Sequence, residues 1–283
     1  MRIVGYGIAG GGEADRYMEA TLKEFDRLCD QTIILGNNIT DKERELVQRY
    51  GFSLIEDNRA WGKNQHKIKE DFVRNHVAKL NPDLTVCLDM DEVFVNVERE
   101  DLEKLDTRDA YYVFIVNLWG RGYRSDWSFW NVRVWGWHRD IKEFFTFHNQ
   151  PLHCGLAPKW TYFVNKHAPF VLEHYGLKTK ASRSRKIKRY EEFDPKQQYR
   201  EPGYYEALKR DEYEPYDRDK IVEMAEKHVA SLKQPNGKTL PFQTSVEMSL
   251  IEREADGMII EVPKGKEGFY LKQKYKGQGF KIV

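Results

Sequence analysis

The sequence predicts an α/β fold, a Rossmann-like mixed sheet flanked by helices with a helical C-terminal extension. Two observations carry that expectation. Short runs rich in β-branched residues alternate with longer amphipathic stretches through the first ninety residues, the pattern of βαβ units around a parallel sheet. Beyond Glu92 the rhythm changes to aromatic-rich apolar runs, which predicts that the sheet is extended there with mixed pairing.

In chain order, strands are expected at residues 2–7, 31–35, 52–56 and 84–88, with helices between them. The first helix, 13–29, sets Met18, Leu22, Phe25 and Leu28 near one face at spacings of four, three and three. The second opens on Thr40-x-x-Glu43, a capping box in which hydroxyl and carboxylate each satisfy a free backbone N–H. The third, 63–80, stops at Asn81-Pro82, because proline disfavours helical geometry in the residue before it. Further strands are expected at 110–119 (AYYVFIVNLW) and 131–137 (NVRVWGW). From Arg183 the chain turns helical and basic, and 259–283, rich in lysine and glycine, reads as a small hairpin or a loose tail.

Composition narrows the function. Lys plus Arg (46) nearly balance Asp plus Glu (45), a formal charge of +1, so no nucleic-acid partner is expected and any basic function is local. No signal-peptide pattern follows Met1, and no apolar stretch approaches the ~20 residues that span a bilayer. Cys29, Cys87 and Cys154 are far apart and odd in number, which argues against a disulfide framework or a Cys-x-x-Cys zinc site and leaves a reducing cytoplasm as the simplest home.

The chemistry sits at the fourth strand. Leu84-Thr85-Val86-Cys87-Leu88 delivers Asp89, Asp91 and Glu92 to the carboxyl end of a parallel strand, where open α/β sheets bind ligands. Two carboxylates one residue apart on a turn can face one divalent cation, and hard oxygen ligands suit Mg²⁺ or Mn²⁺. An Asp-x-Asp pair alone is a weak signal; its placement after a core strand is what favours a site over solvated acids.

With those residues in view, the chain resembles the family 2 glycosyltransferases and their GT-A relatives, in which a sheet strand ends in Leu/Phe-x-Asp-x-Asp-Glu. The likeness includes Glu13-Ala-Asp-Arg-Tyr17 after the first strand, a second strand running into Leu35–Asp41 (LGNNITD), and Asn64 on the helix before the acidic motif. It also includes His174-Tyr175-Gly176 followed by a basic helix ending in Arg189-Tyr190. The resemblance covers about 1–195, which sets an expected GT-A domain at 1–195 and an extension at 196–283.

The resemblance implies transfer of a hexose from a nucleotide diphosphate sugar, UDP foremost, to a carbohydrate or other hydroxyl acceptor, with inversion. Asp89, Asp91 and His174 are the implied Mn²⁺ or Mg²⁺ ligands. Gly7, Asn38, Asp57, Asn64, Arg185 and Arg189 are the candidates for holding the donor, and of the basic run that also includes Arg183 and Lys186 one or two members are expected to face the phosphates. The family's acid pair at the end of the second strand is replaced here by Gly36-Asn37-Asn38, which leaves the nucleotide open. A proton acceptor for the hydroxyl is also needed. No Glu-Asp pair occurs in 117–157, so Asp126 and His153 are the candidates, with pairing to Arg124 the alternative role for Asp126. Trp119, Tyr123, Trp127, Trp130, Trp135 and Trp137 read as core, with two of them facing a groove.

Other readings stay open at this point. Gly5-x-Gly7-x-x-Gly10 matches the dinucleotide fingerprint, although Ile34-Leu35-Gly36-Asn37 offers no acid for a ribose. A nucleotidyltransferase would need the same paired carboxylates. A glycan-binding module with structural calcium is disfavoured because the acidic run lacks the remaining ligands of an EF-hand loop.

Overall fold

The computed structural model describes residues 1–12, 16–137, 146–147, 155–162, 165–193, 204–232, 248–253, 259–263 and 280–282. By its internal contacts the chain forms two compact units, Met1–Ala230 and Ser231–Val283. The expected division after residue 195 falls inside the first unit, because the later segments of that unit pack into its core. Among the described residues no helix is long and apolar enough to cross a membrane.

The first unit begins with β1 (Ile3–Ala9), α1 (Met18–Leu28), β2 (Gln31–Gly36), α2 (Asp41–Arg49), β3 (Ser53–Glu56) and α3 (Trp61–Asn75). It continues through β4 (Leu84–Asp89), β5 (Glu92–Phe94), α4 (Arg99–Glu103), β6 (Ala110–Trp119), β7 (Gly122–Tyr123), β8 (Phe129–Gly136) and β9 (Asn165–His174). Then come α5 (Lys180–Phe193), α6 (Tyr204–Ala207), β10 (Glu214–Pro215) and α7 (Arg218–Leu232). In the second unit β11 (Met248–Arg253) is flanked by β12 (Ile259–Pro263) and β13 (Phe280–Ile282), both antiparallel to it. The extension expected to be helical therefore carries α6 and α7 and then strands.

The three βα units and the fourth strand form as the periodicity requires. β1, β2, β3 and β4 are parallel, in spatial order β3-β2-β1-β4. The capping box is present: Thr40 Oγ1 accepts from Glu43 N at 3.3 Å while Glu43 Oε2 accepts from Thr40 N at 2.8 Å. The third helix ends earlier than expected, at Asn75, and a short 3-10 turn (Val77–Leu80) carries the chain to Asn81, whose left-handed conformation leads into Pro82. β8 then pairs antiparallel with β4, β6 with β8, and β9 parallel with β6, which makes the sheet mixed.

The sheet is covered on both faces. Met18, Leu22, Phe25 and Leu28 of α1 are all fully buried on one side, and Ile68, Phe72 and Val73 of α3 on the other. Close packing of α1 explains two glycines of the fingerprint. A Cβ at Gly5 would lie 2.5 Å from Phe25, and one at Gly7 would lie 2.1 Å from Met90 and 2.8 Å from the Leu88 carbonyl. Gly5 and Gly7 make room for core side chains, so the dinucleotide fingerprint has a packing cause.

Candidate active site

Three strand ends meet at one point. In register, Glu92 of β5 lies opposite His174 of β9, and Asn117 of β6 lies opposite the same His174. The turn between β4 and β5 is thereby pinned against the end of β9, and Tyr175 N donates to the Asp91 carbonyl at 2.8 Å. Antiparallel pairing thus brings Asp91 and His174 together across more than eighty positions of sequence: His174 Nε2 lies 3.4 Å from Asp91 Oδ2.

Gly176 completes this pair. A Cβ there would sit 2.2 Å from Asp91 Oδ2 and 2.8 Å from His174 Nε2, so the two side chains occupy the space any larger residue would need. On its other side the imidazole is held by Asn117, whose Oδ1 lies 2.5 Å from Nδ1. Asn117 Nδ2 donates to the Trp127 carbonyl, so Oδ1 is the atom turned to the ring and Nδ1 carries the proton. Nε2 is the nitrogen turned to Asp91: protonated it pairs with that carboxylate, and neutral it presents the lone pair with which histidine ligates a metal.

Asp89 faces a different partner. Glu92, 2% exposed, makes a bidentate pair with Arg133 at 2.6 and 2.6 Å, and its Oε2 also accepts the Asp89 backbone N–H at 3.0 Å. Arg133 Nη2 lies 3.6 Å from Asp89 Oδ2. Burial opposes the charge on Arg133, but the Glu92 carboxylate more than offsets it and raises the guanidinium pKa, while burial raises the Glu92 carboxyl. Glu92 therefore acts as the post that orients Asp89 and the turn, not as a third acid facing solvent. Asp89 itself remains half exposed at the strand end.

Asp89, Asp91 and His174 are not gathered as a finished cage; among the described residues no three acidic, histidine or cysteine side chains converge on one point. Asp91 and His174 do fit a shared cation. Their 3.4 Å separation is close to the ~3 Å between adjacent ligands of an octahedral ion with bonds of about 2.1 Å, and Mg²⁺ characteristically takes one or two protein carboxylates plus phosphate and water.

The charge around Asp91 is positive. Burial pushes its carboxyl up, but the charge and hydrogen bond of His174, then Lys186 and Arg16, more than reverse this and hold it at about 2. Lys186 arrives on α5. Arg16 arrives from the glycine loop after β1, where its guanidinium donates to the carbonyls of Gly11 and Gly12 at 3.2 Å each. Tyr17, its neighbour, stacks on Tyr175 with ring centroids 4.9 Å apart. Burial and then the Asp91 charge raise the Tyr17 phenol, while Arg16 and Arg185 lower it, which places Arg185 in the same field.

The remaining candidates separate by location. Arg183 does not face the site: it is 2% exposed, donates to the carbonyls of Leu177 and Leu208 and to Asp211, and lies over the Trp119 ring at 4.5 Å. Arg189 is exposed on α5. Asn38, exposed and left-handed, ends β2, and Asn37 beside it is buried in hydrogen bonds to the Asp57 and Arg59 carbonyls. Asp57 is held below the usual carboxylate range by Arg59, which also pairs with Asp71 at 2.8 Å; all three line a cavity of about 390 Å³ beside β3 and α3. Asn64 is exposed on the first turn of α3 and donates back to the Ala60 carbonyl at 3.1 Å.

Asp126 forms the ion pair that was its alternative role. Arg124 grips it at 2.7 and 2.5 Å and holds its carboxyl below the ordinary range, which makes it a weak base. His153, and with it Cys154, lies outside the described residues. Trp119 and Trp135 are fully buried and Trp137 nearly so, while Trp127 and Trp130 are half-buried.

No protein-family model matches the chain, and no curated protein matches it. Solved structures do. The chain is similar to the mannosyltransferase PcManGT from Pyrobaculum calidifontis in complex with GDP-Man and Mn²⁺, at 12% identity and a TM-score of 0.44 over 85% of this chain and 77% of that one. It is also similar to glucosyl-3-phosphoglycerate synthase from Mycobacterium tuberculosis in complex with Mn²⁺, UDP and glucosyl-3-phosphoglycerate, at 15% identity and a TM-score of 0.28 over 40% of this chain and 44% of that one. A nucleotidyl transferase from Methanothermobacter matches at 13% identity and a TM-score of 0.27, over 43% of this chain and 63% of that one. The match spans less than half the length of the mycobacterial synthase.

Proposed function

We propose that the protein is a metal-dependent glycosyltransferase that moves a hexose from a nucleotide diphosphate sugar to an acceptor hydroxyl. The observation that carries this reading is the Asp91–His174 pair, seated against Gly176 at the carboxyl end of the sheet and faced by Arg16, Arg185 and Lys186. That is an arrangement for a divalent cation and a diphosphate together. Departure of a nucleoside diphosphate concentrates negative charge on phosphate oxygens, and a bound Mn²⁺ or Mg²⁺ stabilises that charge.

Each residue of the chain then has a task. Asp91 and His174 hold the cation, Asp89 shares it through its solvent-facing oxygen, and Arg133 with Glu92 fixes the strand end that presents Asp89. Arg16 and Lys186 approach the diphosphate from opposite elements. Asn38 and Asp57, just past the ends of β2 and β3, are the candidates for contacting the base, with UDP the nucleotide of first choice. Inversion rests on the likeness of the sequence to family 2 enzymes alone.

Calorimetric titration of UDP, with and without Mn²⁺, into wild type and Asp91→Ala tests the reading. Binding that requires the cation and is lost in the variant supports it. Cation-independent binding, or equal binding by the variant, would remove Asp91 from the donor site and end the proposal.

A further inference from the structure

A second cavity, of about 550 Å³, is lined by the turn after β6 and the loop that follows His174. Its position follows from the same strand ends. Gly120, in the turn after β6, donates its N–H to the Lys178 carbonyl at 2.8 Å, which ties that turn to the loop whose Gly176 lies against Asp91. Gly120 is left-handed, and a Cβ there would meet the Tyr213 ring at 2.8 Å, so glycine and tyrosine together shape one wall.

The lining is strongly basic. Arg121, Lys178, Lys180 and Arg183 face it, against the single carboxylate of Asp211. Lys180 and Arg183 share that carboxylate. Arg183 lies over Trp119 and is bound to backbone carbonyls, so its charge is built into the wall. Among the described residues Arg121 and Lys178 have no ion pair; Lys178 Nζ lies 5.1 Å from the Tyr175 ring. Thr179 and Lys180 also bring the amino end of the fourteen-residue α5 to the cavity, and its dipole adds to the positive field. These cations are distinct from Arg16 and Lys186, the ones that act on Asp91.

A cavity with an excess of fixed and unpaired cations suits a compact dianion better than a neutral sugar. We propose that this cavity binds the phosphate of a phosphomonoester carried by the acceptor. The word acceptor rests on the glycosyltransferase reading; the phosphate site does not.

The test uses the full chain at low ionic strength, with glycerol 3-phosphate as the soluble probe, glycerol as its uncharged control, and phosphatidylcholine vesicles with or without phosphatidic acid as the lipid probe. Binding of a phosphate-bearing probe, retained when UDP and Mn²⁺ are saturating and weakened about tenfold or more in R121Q/K178Q, is the expected result. Soluble and lipid phosphates are told apart by which probe the wild type captures. Failure of both probes, unchanged affinity in the double variant, or displacement of the probe by UDP–Mn²⁺ would overturn the inference. UDP binding without phosphate binding sinks only this site, whereas phosphate binding without UDP binding sinks the transferase reading and leaves the site standing.

Discussion

Asn117 Oδ1 lies 2.5 Å from His174 Nδ1, and the other end of the same amide is tied to the Trp127 carbonyl. The amide cannot turn without losing a bond, so it dictates which imidazole nitrogen carries the proton. Asn117→Ala should weaken Mn²⁺ binding about 10- to 100-fold, the usual consequence of removing a partner that orients a metal-ligating histidine. Titration of the Mn²⁺ electron paramagnetic resonance signal measures it. Unchanged affinity would take His174 out of the ligand set.

Gly176→Ala is the smallest change that should disable the site. The added methyl would stand 2.2 Å from Asp91 Oδ2, so either the loop or the Asp91–His174 pair has to move. Cation-dependent UDP binding is expected to fall at least about tenfold, while overpacking at a partly exposed loop costs about 1–3 kcal/mol of stability. Calorimetry and thermal melting by circular dichroism, run on the same sample, separate the two effects. Full UDP affinity in this variant would show that the pair is not used as arranged.

Arg133 and Glu92 supply a stability prediction. Arg133→Met leaves the Glu92 carboxylate buried without its partner, a change that costs about 3–5 kcal/mol and lowers the melting temperature by roughly 10 °C. Replacing both, with Glu92→Gln added, should recover much of that loss, because the isolated charge is gone. A double variant no more stable than Arg133→Met would mean that the strand packing of Arg133, and not the ion pair, is what the fold requires.

His167 links stability to pH. Burial first, then the charge of His228 at 3.3 Å, holds its imidazole below the ordinary 6.5. The unfolded chain therefore takes up a proton in a range where the folded chain does not, so stability is steady above about pH 6.5 and declines as pH falls toward the folded value. His228→Gln removes the neighbouring charge and should flatten that decline. Melting temperatures from about pH 7.5 to about pH 5 test it. Parallel pH profiles for the two proteins would show that the His228 charge has no part in the decline.

The repeating first half was the most legible part of the chain. The helix face of Met18, Leu22, Phe25 and Leu28 and the Thr40–Glu43 box were readable because both depend on residues within a few positions of each other. Asp91 and His174 were legible as types of residue in a familiar order. Asn117 and Arg133 were missed, yet each left a trace: a lone asparagine near the end of AYYVFIVNLW and a lone arginine within NVRVWGW, both in strands too apolar to hold an unsatisfied polar group. Within the basic run, the sequence shows the charges without showing that Arg183 is the one turned inward onto Trp119. The fingerprint glycines were ambiguous for the same reason. Phe25 and Met90, which they admit, are distant in sequence.

The sequence by itself determined the alternation of strands and helices, the apolar face of α1, and the arrival of acids at the end of β4. Those follow from local periodicity and capping. Tertiary structure alone decided that Glu92 turns to Arg133 while Asp91 turns to His174, that Asn117 orients the imidazole, and that Arg121 and Lys178 border a basic cavity. The meeting of Glu92, Asn117 and His174 depends on the register between strands far apart in the chain, and a register shift of one residue would have sent those side chains to the opposite face.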